Sequence, residues 1–190
     1  MPDRPPQARP TPLTLREAAL RHLARYTATE AGLRAVLDRR IDRWARATED
    51  REDLSSSVAA LKQDARQIAA SLVTSGLIDD GAYAETRASG LLRAGRSRRA
   101  VAARLAAKGV GAEVAQAALP DDPEAELAAA LVLARKRRLG PFRRGESPDP
   151  AGKRRELAVL ARAGFPQPVA ARALGMAAEE AEDRITAFRR

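Results

Sequence analysis

The side chains best equipped for chemistry are few, and their spacing argues against catalysis. The one histidine, His22, stands between Arg21 and Leu23 on a helical stretch. A lone imidazole there reads as a surface or half-buried structural residue rather than a general base or metal ligand. The acidic pairs Asp79-Asp80 and Asp121-Asp122 open helices. Adjacent side chains at a helix start point apart, and no third ligand follows at a helical spacing. Both pairs therefore read as partners of the positive end of a helix dipole. Gly90-Leu-Leu-Arg-Ala-Gly95 is the nearest approach to a phosphate loop, but it lacks the Lys and Ser/Thr that should follow and the strand that should precede. With no cysteine, disulfides, thiolate nucleophiles and zinc fingers are excluded. The expectation is a protein that is not an enzyme and carries no metal or cofactor.

Basic side chains are the richer signal. Arg93, Arg96, Arg98, Arg99, Arg104 and Lys108 surround one helix–turn–helix junction. Arg135, Lys136, Arg137 and Arg138 form a run, and Arg143, Arg144, Lys153, Arg154 and Arg155 continue it across a loop. Guanidinium groups bridge phosphates and carboxylates bidentately, so the clusters are candidate contacts for nucleic acid or an acidic partner. Any one of these arginines, taken singly, is as well explained as a solvated helix face. The chain carries 34 basic against 25 acidic residues, a net charge of +9. That excess steers association with polyanions, although an Ala- and Arg-rich composition also follows from a GC-rich genome. The platform of stacked aromatics on which sheet-type readers of single strands rely is absent.

The elements that must position these residues are helices. Forty-three of the 190 residues are Ala, and no Pro occurs between Leu13 and Leu119. β-Branched and aromatic residues are too sparse for a sandwich or barrel. No apolar run approaches the roughly 18 residues of a membrane span, and the first residues lack the apolar core of a signal peptide, so a cytoplasmic location is expected.

Along the chain, residues 1–12 read as a disordered Pro- and Arg-rich tail. Thr14 with Glu17 suggests a capping box for a helix carrying Leu15, Ala19, Leu20 and Leu23. A second helix starts near Thr29, with Leu33, Val36, Leu37 and Ile41 as its stripe, an acidic and Ser-rich insertion falls near 48–57, and a third helix runs from Leu54 onward, with Leu61, Ile68 and Leu72 on its stripe and Gly76 at its end. A first three-helix module thus spans 13–76. A central module spans 77–120, with Ser97 capping the helix that turns Val101 and Leu105 inward. A third spans 121–175, interrupted by a loop over 140–152 that holds three Gly and three Pro, and an extra helix occupies 176–190. The modules repeat one another. Leu105-Ala-Ala-Lys-Gly109-Val110 matches Leu160-Ala-Arg-Ala-Gly164-Phe165, while Thr29, Leu33 and Leu37 match Ser97, Val101 and Leu105. Gly109 and Gly164 read as left-handed helix terminators, each followed by an apolar residue that packs back. Units of this size have too little core alone and stack on their neighbours. The expected fold is all-α, an elongated tandem array of three-helix modules, like winged helices without the wing and with no sheet.

Gly76-Leu-Ile-Asp-Asp80, Tyr83-Ala84, Gly95-Arg-Ser-Arg-Arg-Ala-Val101, Leu105 and Lys108-Gly109-Val110 together resemble the central module of the RecX family. Arg162-Ala-Gly-Phe165, with Lys153-Arg-Arg before it and Val169 to Leu174 after it, is similar to that family's C-terminal module. The resemblance implies a non-catalytic regulator that binds the RecA recombinase filament and modulates, in the main inhibits, its activity in recombination and the DNA-damage response. It implies a monomer whose partners are the RecA filament and, weakly and electrostatically, single- or double-stranded DNA. The alternative from another class is a helix-turn-helix transcriptional regulator, with Gly175 at the turn and Ala178 to Arg189 as the groove-reading helix, although Glu179, Glu180, Glu182 and Asp183 on that helix would repel phosphates. A helical scaffold for an unidentified acidic protein is a third reading.

Overall fold

The computed structural model describes residues 8–48, 53–145 and 149–189, and over these the chain is helical with no strand. Two compact units emerge. Unit 1 runs to Tyr83 and takes in Lys108–Val110; unit 2 comprises Ala84–Ala107 and the chain from Gly111 onward.

Unit 1 is built on α1 (Pro12–Leu23), α2 (Glu30–Ala47) and α3 (Leu54–Thr74), which pack pairwise. Their shared core consists of residues at helical spacing: Leu15 and Ala19 from α1, Leu33, Leu37, Ile41 and Trp44 from α2, and Leu61, Ala65, Ile68 and Leu72 from α3. Leu20, assigned to the inner stripe from its spacing, is 39% exposed, because the buried face of α1 is narrow and follows Leu15 and Ala19. The first helix also starts earlier than Thr14. Thr11 is its N-cap, and the reciprocal box joins Thr11 to Thr14 instead of Thr14 to Glu17. Pro12 explains the shift, since it occupies the first helical turn with φ already set and no amide proton to satisfy. The tail expected over 1–12 thus gives up Thr11 and Pro12 to α1, and its residues 1–7 lie outside the described residues. Of the insertion expected over 48–57, residues 49–52 also lie outside them, and α3 begins at Leu54 as expected, so Ser55, Ser56 and Ser57 form its opening turn.

Helix α4 (Asp80–Arg93) opens in unit 1 and continues into unit 2. Unit 2 then holds α5 (Arg98–Ala106), α6 (Ala112–Ala117), α7 (Pro123–Arg137), α8 (Pro150–Arg162), α9 (Gln167–Gly175) and α10 (Ala178–Arg189). Helix α7 is its axis: every residue from Glu126 to Val132 is buried, with α9 and α10 packed against it. A helix apolar on all sides has to be enclosed in this way, and its alanines let the neighbours approach closely.

The loop expected over Gly140–Gly152 is largely structured. Gly140–Phe142 forms a 3-10 turn, Phe142 packs against the core of unit 2, and α8 already begins at Pro150 with Asp149 as its cap. Glu156 anchors the turn, accepting from the Gly140 amide at 3.2 Å and from both ends of the Arg143 guanidinium at 3.1 and 2.6 Å. Residues 146–148 lie outside the described residues.

The same hydrogen-bonded joint occurs once in each unit. In unit 1 the N-cap hydroxyl of Thr29 accepts from the Gly32 amide at 2.9 Å and donates to the Lys108 carbonyl at 2.6 Å. In unit 2 the N-cap hydroxyl of Ser97 accepts from Ala100 at 3.2 Å and donates to the Ala163 carbonyl at 2.7 Å. The next amide of each helix is met by a carboxylate: Glu30 donates to Asp80 Oδ1 and Arg98 to Glu126 Oε2, each at 2.9 Å. Both hydroxyls are buried. The residue after each accepting carbonyl is glycine with positive φ, Gly109 at 78° and Gly164 at 94°. A Cβ on Gly109 would collide with the Ala31 side chain, and one on Gly164 would lie 2.6 Å from Ser97 Oγ.

Gly164→Ala should therefore lower unfolding free energy by about 1–3 kcal/mol, combining left-handed strain with overpacking. Gly111→Ala, with negative φ and open space around it, should change it by no more than about 0.5 kcal/mol. Phe142→Ala should also lower the denaturation midpoint, as loss of a partly buried aromatic packed on the core does and loss of a loose loop residue does not. Chemical denaturation of the three variants checks all three expectations.

Candidate functional site

The sequence-nominated cations divide into those that the fold engages and those left facing solvent. Arg98 caps its own site: beyond the backbone bond to Glu126, its guanidinium pairs with Asp121 at 2.8 Å. Arg135 pairs with Glu182 at 2.6 Å. Arg138 takes the left-handed conformation at the end of α7, with φ 56°. Lys108 lends its backbone carbonyl to the unit 1 joint while its side chain remains exposed.

Arg93, Arg96, Arg99, Arg104, Lys136, Arg137, Arg138, Lys153 and Arg154 are exposed and make no ion pair among the described residues. Arg155 reaches Asp149 only at 3.9 Å. Two contacts of the fold gather several of these cations within unit 2. Lys136 Nζ donates to the Ala94 carbonyl at 2.7 Å, which sets the basic end of α7 beside the turn that bears Arg93 and Arg96. Glu156, by holding Gly140 and Arg143, brings the start of α8 with Lys153, Arg154 and Arg155 to the same end of α7. Arg99 and Arg104 project from α5, whose Val101 and Leu105 are buried. Arg99 borders Gly164 and so sits at the joint itself.

Beside that joint lies a cleft of about 600 Å3, bounded by Arg98, Arg99, Leu119, Glu126, Phe165 and Val169. Burial holds the Glu126 carboxyl above its ordinary range, an effect only partly offset by the Arg98 amide and charge. Glu124 shows the opposite behaviour at the surface: it is held below that range first by its hydrogen bond from Arg172, with Arg184 adding to the effect.

The helix pair on which a transcription-factor reading depends is committed elsewhere. Ala181 and Ile185 of α10 are buried, Glu182 is paired with Arg135 of α7, and Arg184 bonds Glu124 of α7 and Glu180 of its own helix. The exposed side of α10 still carries Glu179 and Asp183, a poor surface for a phosphate groove. Among the described residues no group of three or more His, Asp or Glu could hold a metal ion, and no helix is long and apolar enough to cross a membrane.

Sequence reasoning did not find the carboxylates Glu126 and Glu156 as organisers of this surface. The only available signal for Glu126 was an acidic residue near the start of a helix. It also treated Arg98 and Arg135 as equal to their neighbours, because their partners lie 23 and 47 residues away.

The buried charge on Glu126 gives a pH test. A carboxyl with its folded pKa raised favours the fold while protonated, and that contribution is lost as pH rises through the folded pKa. Glu126→Gln keeps an acceptor for the Arg98 amide without the charge. Relative to the parent chain, its melting temperature should therefore increase as pH is raised from the acid range to neutrality. A difference independent of pH, or one that declines, contradicts the assignment.

The family model described as the RecX second three-helix domain matches residues 79–119. Regulatory protein RecX of Myxococcus xanthus is 42% identical over 167 residues, covering 86% of this chain and 84% of its own. Regulatory protein RecX of Agrobacterium fabrum is 38% identical over 172 residues, covering 90% and 87%. No solved structure matches the chain.

Proposed function

The chain belongs to the RecX family, and from that premise we propose that it is a non-catalytic regulator that binds the RecA–DNA filament and inhibits its activity in recombination and the DNA-damage response. The observation that carries this reading is the set of solvent-facing cations on unit 2: Arg93, Arg96, Arg99, Arg104, Lys136, Arg137 and the start of α8 at Lys153, Arg154 and Arg155. A nucleoprotein filament offers both phosphates and acidic side chains, and a surface of unpaired guanidinium groups meets both. The names of the two relatives agree with a regulatory role. The protein acts as a cytoplasmic monomer, and its attraction for DNA is electrostatic and weak compared with that for the filament. Inhibition follows from occupancy: a chain held across neighbouring recombinase subunits opposes the movements that strand exchange and ATP turnover need.

Titration into a RecA ATPase assay on single-stranded DNA tests the proposal. The parent chain should suppress turnover, and suppression should weaken steeply with salt, as multi-charge contacts do. Arg99→Glu with Arg104→Glu should raise the inhibitory concentration by about tenfold or more. Arg98 is left intact because its reversal would break the guanidinium pair with Asp121 and set a like charge near Glu126. Reversal of the exposed Arg34 and Arg66 of unit 1 is the charge-matched control. Equal loss in the two double variants would mean that net charge alone acts, and no suppression by the parent chain would overturn the proposal.

A further inference from the structure

Unit 1 contains a second basic feature that the preceding reading does not use. Between α1 and α2 lies a cleft of about 490 Å3, a volume within the ordinary range for a ligand site. Five of its lining residues are arginines: Arg21 and Arg25 from α1 and the turn after it, and Arg39, Arg40 and Arg43 from α2. No acidic residue lines it. None of the five makes an ion pair among the described residues, and Arg21 Nε reaches only the Glu17 carbonyl, at 3.3 Å. Arg39 and Arg43 stand at helical i, i+4 spacing on α2, so that helix presents like charges side by side, which is mildly destabilising for the chain alone. An anion in the cleft would relieve it.

An aromatic ring sits among these charges. The Tyr26 amide donates to the His22 carbonyl at 2.9 Å, fixing the tyrosine just past the end of α1. Its ring centroid is 5.2 Å from that of His22, with the planes tilted by 39°. The side chain is nevertheless 61% exposed, so His22 braces the ring while most of it faces solvent at the cleft. Leu37, wholly buried, closes the floor.

We propose that this cleft binds single-stranded nucleic acid, with one base stacked on Tyr26 and the flanking phosphates held by Arg21, Arg25, Arg39, Arg40 and Arg43. An acidic peptide would use the guanidinium groups and leave the ring idle. A duplex keeps its bases in the stack and offers phosphates alone. Only an unpaired strand supplies a free base face and closely spaced phosphates together, the combination used by single-strand binders in general. One ring does not make the multi-base platform missing from the sequence, so the site has the size of a nucleotide or two.

The test uses the full chain and no recombinase, so it can fail while the regulatory reading stands, and the converse. A labelled oligodeoxythymidine of about 15 nucleotides is titrated with protein in fluorescence anisotropy at several salt concentrations. A matched duplex and a polyglutamate peptide serve as competitors. Tyr26→Ala should weaken binding by roughly 5- to 100-fold, the worth of one base–aromatic stack, with the salt slope unchanged. Tyr26→Phe should bind as the parent does. Arg39→Ala with Arg43→Ala should reduce the salt slope by about 1.4. Circular dichroism and melting temperature should match the parent in all three, since the substituted side chains are exposed. Unchanged affinity in Tyr26→Ala overturns the proposal, as does polyglutamate or duplex competing as well as unlabelled single strand.

Discussion

Two buried hydroxyls organise this molecule. Thr29 and Ser97 each cap the start of a helix by accepting from its third amide, and each donates its proton to a carbonyl far along the chain. An N-cap is ordinarily a local device worth about 1 kcal/mol. Here it doubles as a tertiary fastener, because the hydroxyl is wholly enclosed and has to satisfy its donor as well as its acceptor role. The carbonyl can come this close only if the residue after it has no side chain, hence the glycine at 109 and at 164. The adjacent carboxylates, Asp80 and Glu126, meet the helix's next free amide and complete the joint. In unit 2 the joint fixes the start of α5, and with it the direction in which Arg99 and Arg104 leave the protein.

Charge is distributed with the same economy. A net charge of +9 would suggest a uniformly basic surface, yet the acidic residues are spent where helices meet. Glu124 collects Arg172 and Arg184, Glu156 collects Arg143, Glu182 collects Arg135 and Asp121 collects Arg98. Apart from the half-buried Arg143–Glu156 pair, such surface ion pairs add little stability singly. Their larger consequence is subtraction: once these arginines are neutralised, the unpaired cations left among the described residues include those at the ends of α4 and α7, on the outer face of α5, at the start of α8 and in the α1–α2 cleft. These are surfaces suited to partners with repeated negative charge.

Much of the fold was legible in the sequence because its signals are local. The stripes Leu33–Leu37–Ile41 and Val101–Leu105 are buried as their spacing indicates, and the caps at Thr29 and Ser97 and the left-handed glycines at 109 and 164 follow from residue type. What escaped depends on residues distant in sequence. That Gly140 lies against Leu174, turning a Gly/Pro loop into a packed corner, is a tertiary fact. So is the pairing of Arg98 with Asp121, which removes the former from the candidate contacts. Tyr26 was legible only as a scattered aromatic, since its setting requires α2 to bring Arg39, Arg40 and Arg43 opposite α1. The shift of the first cap to Thr11 was a local misreading, as was the inward placing of Leu20; a threonine followed by proline outweighed the Thr14–Glu17 pattern.

The central claim is that this chain recognises the recombinase filament through charge presented by a fixed helical frame. The most direct measurement is co-sedimentation of the purified chain with RecA filaments assembled on single-stranded DNA with a non-hydrolysable nucleotide, over a range of salt. The account predicts that the chain sediments with the filament at low salt, remains behind with DNA lacking recombinase at the same salt once Tyr26→Ala has removed the cleft's stacking contact, and is released as salt rises. Absence from the filament pellet at low salt, or retention indifferent to salt, would contradict it.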